Sequence, residues 1–151
     1  MTVIVWDGKT LAADRRAQSG GTIRTVCKIS KWPDDTEVVA ATGNLDQCLA
    51  LMAWYQVDHA DAAKWPTWQN KDDPCLLVVM DTYDGKVFYY EALPEKIFIL
   101  DKFMAWGSGR DIALGAMAMG ADARKAVEIA SQFDCNCGNG CDAVDVSELS
   151  A

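Results

Sequence analysis

Short apolar runs, many of them β-branched, alternate with turn signals over the first third of the chain. Residues 2–7 (TVIVWD) are apolar and β-branched and are followed by Gly8, which predicts a strand and a turn. Residues 10–17 (TLAADRRA) predict a second strand carrying Asp14, ended by the glycine pair at 20 and 21. Residues 22–32 alternate: Ile23, Thr25, Cys27 and Ile29 share one face, and Arg24, Val26, Lys28 and Ser30 the other, as in one continuous strand. Pro33 with Asp34 and Asp35 predicts a turn, and residues 37–43 (EVVAATG) a fourth, mostly buried strand. The period then changes. Asn44 reads as a helix N-cap with Gln47 as its capping-box partner, and Leu45, Cys48, Leu49, Met52 and Tyr55 recur at helical spacing.

Residues 57–74 are polar, contain Trp65 and Trp68 and are interrupted by Pro66, predicting a short helix and loop in which the two tryptophans pack. Strands follow at 75–81 and 86–92, paired across a turn at Asp84-Gly85, and at 96–100 and 103–109. Helices follow at 110–120 and, capped by Asp122, at 123–133, and residues 141–149 alternate as a last strand. The order is four strands, one helix, four strands, two helices and one strand. Strands grouped between two sets of helices predict an α+β fold, a four-layer αββα sandwich of two antiparallel sheets.

Composition narrows the function. A chain of 151 residues, half of them hydrophobic, can build one core, so residues 1–151 are expected to form one domain, with 57–74 a shortened helix and loop segment. With 14 basic and 22 acidic residues the net charge is −8, which argues against nucleic-acid and anionic-membrane partners. No apolar run reaches the roughly 18 residues of a membrane-spanning helix, and the start lacks a signal-peptide layout, so a cytoplasmic location is expected. Six cysteines in that setting read as free thiols, and a single histidine, His59, argues against a histidine-based triad or a multi-histidine metal site.

Thr2 is the first candidate for chemistry. Loss of Met1 would leave it with a hydroxyl and a free α-amine on one residue. That amine, with an ordinary pKa of about 7.7–8.0, could take the hydroxyl proton near neutral pH. The other reading is simpler: many chains begin Met-Thr, and Asp14 and Lys28 can be solvated strand residues. Cys135, Cys137 and Cys141 could ligate zinc or an iron–sulfur centre, but no fourth ligand is evident, and small residues filling a glycine-rich turn are preferred. No metal and no cofactor is expected.

Four stretches, Met1-Thr2, AADRRA with Lys28 in CKISKW, AATGNLD, and AWGSGRDIALGAMAMGA, together with FDCNCGNG, resemble the N-terminal nucleophile hydrolases, and among them the proteasome β subunits and HslV-type peptidases. The resemblance spans nearly the whole chain. It implies the αββα fold and a threonine peptidase or amide hydrolase with Thr2 as nucleophile after Met1 removal. By position it implies Asp14 and Lys28 as an acid–lysine pair, with Lys28 lowering the pKa of the Thr2 amine. Thr42 and Gly43 would form the oxyanion turn, and Ser108, Asp134 and Cys137 would hold the terminal amine. The family usually has Gly at 42 and Ser or Thr at 137. The resemblance further implies a peptide or protein substrate and a homo-oligomeric ring, with packing surface near Met117 and Met119, encoded by a bacterium or phage. The shortened segment after the first helix argues against docking to a typical unfoldase ring. The small residues Ala17, Ser19, Thr42 and Cys48 are candidate pocket positions. Two other readings stand beside this one: a catalytically silent scaffold or assembly protein, for instance of a phage particle, that retains Met1, and an amidohydrolase acting on a small amide.

Overall fold

The computed structural model describes residues 2–31, 36–69, 72 and 74–146. Met1 and the turn expected at Pro33, Asp34 and Asp35 lie outside these residues, as does the end of the last expected strand.

Two antiparallel sheets carry the fold. The first has the order β10-β1-β2-β11, with β1 at Val3–Trp6, β2 at Thr10–Asp14, β10 at Met104–Gly107 and β11 at Cys141–Asp145. The second has the order β5-β6-β7-β8-β9, with β5 at Ile29–Lys31, β6 at Glu37–Thr42, β7 at Leu76–Asp81, β8 at Val87–Tyr90 and β9 at Ile97–Phe98. Helix α1 (Leu45–Gln56) covers the second sheet, and α2 (Arg110–Ala118) and α3 (Ala123–Phe133) cover the first.

The alternation of side chains explains the layers. Along β1, Ile4 and Trp6 face the gap between the sheets, while Val3 and Val5 pack with Ala113, Ala126 and Val127 of α2 and α3. Along β6 and β7, Val38, Ala40, Val78 and Met80 join the inter-sheet core, and Val39, Ala41, Leu77 and Val79 pack under Leu51 and Trp54 of α1. Both faces of these strands are dry, so they read as unbroken apolar runs although the sheets are antiparallel. The chain therefore has the four-layer αββα architecture expected from its sequence.

Local boundaries depart from the pattern in informative places. The strand expected over 22–32 is two strands, β4 (Thr22–Thr25) and β5, and the one expected over 10–17 is divided at Arg15 into β2 and β3 (Arg16–Ser19). Strands β3 and β4 form a separate hairpin, and every β4 residue is exposed, so the alternation there does not mark a buried face. The chain leaves the sheet between 26 and 28, with the Val26 amide bonded to the Arg15 carbonyl at 2.8 Å. Residues 96–100 keep only the two-residue β9, and the last strand ends at Asp145. In α1, Cys48 and Tyr55 are buried as expected and Met52 partly so, but Leu45 and Leu49 are exposed and Leu51 and Trp54 are buried in their place, so the core stripe is shifted from the expected one. Asn44 caps it through Asp46, whereas the Gln47 side chain accepts from the Cys75 thiol instead of closing a capping box. Residues Ala62–Lys64 form one 3-10 turn, after which Trp65 packs edge-on against Trp54 at 4.8 Å; Trp68 is 37% exposed. Asp122 caps α3 as expected, accepting from the Lys125 amide. Met119 is exposed, but Met117 is in the core.

Gly107 ends β10 with φ +98°, where an added Cβ would lie 2.2 Å from the Thr2 carbonyl oxygen. Gly107→Ala is therefore expected to lose several kcal/mol of stability, on the order of other large backbone clashes. Gly115, in α2, has open space around it, so Gly115→Ala is expected to gain about 0.5–1 kcal/mol. Urea midpoints of the two variants check the pair.

Burial and a hydrogen bond to Glu37 at 2.8 Å push the Tyr55 phenol well above its usual value, and burial pushes Tyr90 up to about 12. The folded state favours the protonated phenols. Their stabilisation is complete below the unfolded pKa of about 10 and is lost as pH rises toward the folded values. Stability should fall between about pH 10 and pH 12, less steeply in Tyr55→Phe, as read by urea unfolding across that range.

Candidate active site

Asp14 ends β2 with no exposed surface. A carboxylate can be buried only if its oxygens are filled by donors, and here they are. Oδ1 accepts from the Thr2 hydroxyl at 2.6 Å, the Val3 amide at 3.1 Å and Lys28 Nζ at 2.7 Å. Oδ2 accepts from the Arg16 amide at 3.2 Å and the Gly138 amide at 3.0 Å. Lys28 Nζ also donates to the Thr2 hydroxyl oxygen. The Lys28 side chain is 9% exposed and Thr2 is 2% exposed. Thr2, Asp14 and Lys28 thus form a closed triangle in which the Thr2 oxygen touches both an ammonium and a carboxylate. The break between β4 and β5 is what turns Lys28 inward.

Behind Thr2 lie the residues of the α2 entry and the loop after α3. The Gly109 amide and the Ser108 hydroxyl both donate to the Thr2 carbonyl, at 3.2 and 3.3 Å. The Cys137 thiol donates to Asp134 at 3.4 Å and lies 3.8 Å from the Ser108 oxygen. Burial, with Asp14 and Asp134 nearby, pushes the Cys137 thiol up to about 12. Burial alone would raise Asp134, but donors from Asn136, Ser108 and Cys137 outweigh it and hold the carboxyl below the usual range. Ser108, Asp134 and Cys137 are therefore one connected cluster that touches Thr2 through Ser108.

Thr2 and Lys28 open onto a cavity of about 110 Å³. Its walls include Val26, Ala41, Cys48, Leu49 and Met52, which accounts for the exposed helix positions of α1. Gly43, with φ +124°, borders this cavity and also a wider groove of about 610 Å³ that runs past Thr42, Trp106, Gly107, Ser108 and Arg110. Of the small residues expected to line the pocket, Ala17 and Cys48 do. Ser19 lies outside its lining, at the exposed end of β3, and Thr42 borders the neighbouring groove.

Residue-type reasoning missed the backbone half of the site. Gly138 supplies an amide to Asp14, and an added Cβ there would meet the Arg16 guanidinium at 2.8 Å. Arg16 and Asn139 tie the β3–β4 hairpin to the loop after α3, with bonds from Arg16 to Cys135 at 2.8 Å and from Asn139 to the Arg24 carbonyl at 3.2 Å. The glycines of CNCGNG were the available signal. Among the described residues no group of three or more His, Cys, Asp or Glu side chains is placed to hold a metal ion. Nor is any helix among them long and apolar enough to cross a membrane.

No protein-family model and no curated protein sequence matches the chain. Solved structures do. The chain is similar to the eukaryotic HslV from Trypanosoma brucei, with a TM-score of 0.68 at 22% identity, over 95% of this chain and 97% of that one. It is similar to the Thiobacillus denitrificans BPH in complex with epoxomicin, with a TM-score of 0.69 at 20% identity, over 95% and 96%. It is also similar to the Anbu (Gly-1) mutant from Hyphomicrobium sp. strain MC1, with a TM-score of 0.69 at 12% identity, over 99% and 92%. The chain shares its fold with these HslV- and proteasome-type structures.

Removing one partner of a buried ion pair strands the other. Asp14→Ala is expected to lose about 3–5 kcal/mol, and Asp14→Asn with Lys28→Met together much less than the sum of the single changes. A double-mutant cycle in urea tests the coupling.

Proposed function

We propose that this protein is a threonine-type peptidase of the N-terminal nucleophile kind, working as a homo-oligomeric ring. The observation that carries the reading is the buried triangle of Thr2, Lys28 and Asp14 at the edge of an apolar cavity.

Cleavage of the Met1–Thr2 bond frees the Thr2 amine. The Lys28 ammonium, held by Asp14, lies against the Thr2 oxygen and favours both an uncharged amine beside it and a developing alkoxide. The amine takes the hydroxyl proton as the oxygen attacks an amide carbonyl of the substrate. The backbone at the Thr42–Gly43 turn offers a donor to the resulting oxyanion, and such a donor is typically worth about 2.7–4 kcal/mol. The amine then returns the proton to the leaving nitrogen, and water hydrolyses the acyl-threonine. Ser108, Asp134 and Cys137 orient Thr2 from behind. The apolar cavity accepts an apolar side chain on the acyl side, and the wider groove accepts the departing segment.

Intact mass followed by labelling with an epoxyketone probe tests this. The expected result is loss of Met1 and one covalent adduct at Thr2, absent in Thr2→Ala. Peptide hydrolysis should fall about 10²–10³-fold in Lys28→Ala. A chain that keeps Met1, with no adduct, would instead be the silent scaffold.

A further inference from the structure

Two buried thiols that the proposed chemistry does not use lie behind the cavity. Cys48, in the first turn of α1, lines the cavity itself. Cys75 stands just before β7, and both belong to the layer packed between α1 and the second sheet. The two side chains share one packed cluster, and the Cys75 thiol beside it, with burial, pushes the Cys48 thiol well above its usual range. The Cys75 sulfur also donates to Gln47 Oε1 at 3.2 Å and presses on the neighbouring turn, since a Cβ added to Gly43 would lie 2.6 Å from it. One sulfur therefore touches the Gly43 turn, the first turn of α1 and a second thiol.

We infer that Cys48 and Cys75 are an oxidisable dithiol, a modification site at which a peroxide or a small disulfide closes a Cys48–Cys75 bond and alters the Gly43 turn and the cavity wall. The consequence for activity rests on the function proposed above; the modification itself does not. With a peroxide, the Cys48 thiolate attacks the O–O bond, giving a sulfenic acid and hydroxide. The Cys75 sulfur then attacks the Cys48 sulfur, the S–O bond breaks and water leaves. Two thiols lose two electrons and two protons, and one peroxide becomes two waters. With a small disulfide, a mixed disulfide at Cys48 is resolved by Cys75 and two small thiols are released.

The geometry couples the bond to the site. An S–S bond is about 2.05 Å long, much shorter than a packing contact between two thiols. Closing it moves the Cys75 sulfur from its seat against Gly43 and Gln47 and fixes Cys48 in the cavity wall. The neighbouring Cys75 thiol and burial both hold Cys48 protonated. The reaction is accordingly slow near neutral pH and quickens as pH rises.

Hydrogen peroxide and oxidised glutathione, each applied to the full chain, test the inference. Non-reducing peptide mapping should show a Cys48–Cys75 cross-link with loss of two hydrogens, absent in Cys75→Ala and Cys75→Ser. Amide hydrogen exchange of residues 42–48 should change on oxidation and return with dithiothreitol. Epoxyketone labelling of Thr2 should fall at least about tenfold in the oxidised protein, and oxidant should leave it unchanged in either Cys75 variant. Separate alkylation of Cys48 and Cys75 after oxidation, or linkage of Cys48 to the exposed Cys27 instead, overturns the site. A cross-link that leaves exchange and labelling unchanged overturns its coupling to the turn. If Thr2 is inert in the reduced protein as well, the proposed function falls, while mapping and exchange still decide this inference.

Discussion

The Asp14 carboxylate is the constraint around which the rest of the site is arranged. It is fully buried, and it is filled from five directions by groups far apart in the chain. The Val3 amide comes from the start of β1, the Arg16 amide from the start of β3, Lys28 from the break after the hairpin, and Gly138 from the loop that enters β11. A buried charge tolerates few geometries, because each lost donor leaves a desolvated oxygen. The ion pair is therefore weak evidence of stability and strong evidence of position. It fixes where the Thr2 hydroxyl can be and which atoms it faces.

The layers make that position possible. Because both faces of β1 and β2 are covered, by the second sheet on one side and by α2 and α3 on the other, the end of β2 lies inside the molecule. Glycines then let the surrounding backbone close in. Gly107 brings β10 against the Thr2 carbonyl, and Gly138 presents its amide to Asp14 while its bare α-carbon lies beside the Arg16 guanidinium. The cavity comes from the opposite choice: α1 turns Leu45 and Leu49 away from the core, and with Met52 at the core's margin they become its wall.

Legibility in the sequence follows the same division. The strands buried on both faces and the helices with a capping residue were readable, because burial leaves a long apolar or periodic run. Residues 22–32 misled, since their alternation belongs to an exposed hairpin and to a chain that leaves the sheet so that Lys28 can reach Asp14; periodicity records polarity, not hydrogen bonding. The α1 face is only partly legible for a related reason. Its apolar residues serve two surfaces, core and cavity, and a single-stripe template merges them. Thr2, Asp14, Lys28, Ser108, Asp134 and Cys137 were named from the likeness of short motifs, and they do cluster. The amides of Val3, Arg16, Gly109 and Gly138 could not be named, because a backbone donor has no letter of its own.

Cys137 shows what a thiol can do in this cluster. A hydroxyl at this position would donate to Asp134, and the thiol does so at 3.4 Å, longer and weaker. Whether that bond persists depends on protonation. Burial and the neighbouring carboxylates push the thiol up to about 12, so it keeps its proton, and the donors around Asp134 hold that carboxyl below the usual range, so it stays an acceptor. The two groups titrate on opposite sides of neutrality, and the donor–acceptor direction is the same throughout the range between. Because the thiol is also fully buried, against Gly109 and Ala130, sulfur's larger radius fills space that the loop has already closed around. The thiol thus keeps Cys137 tied to Asp134 within the cluster behind Thr2, through one long bond.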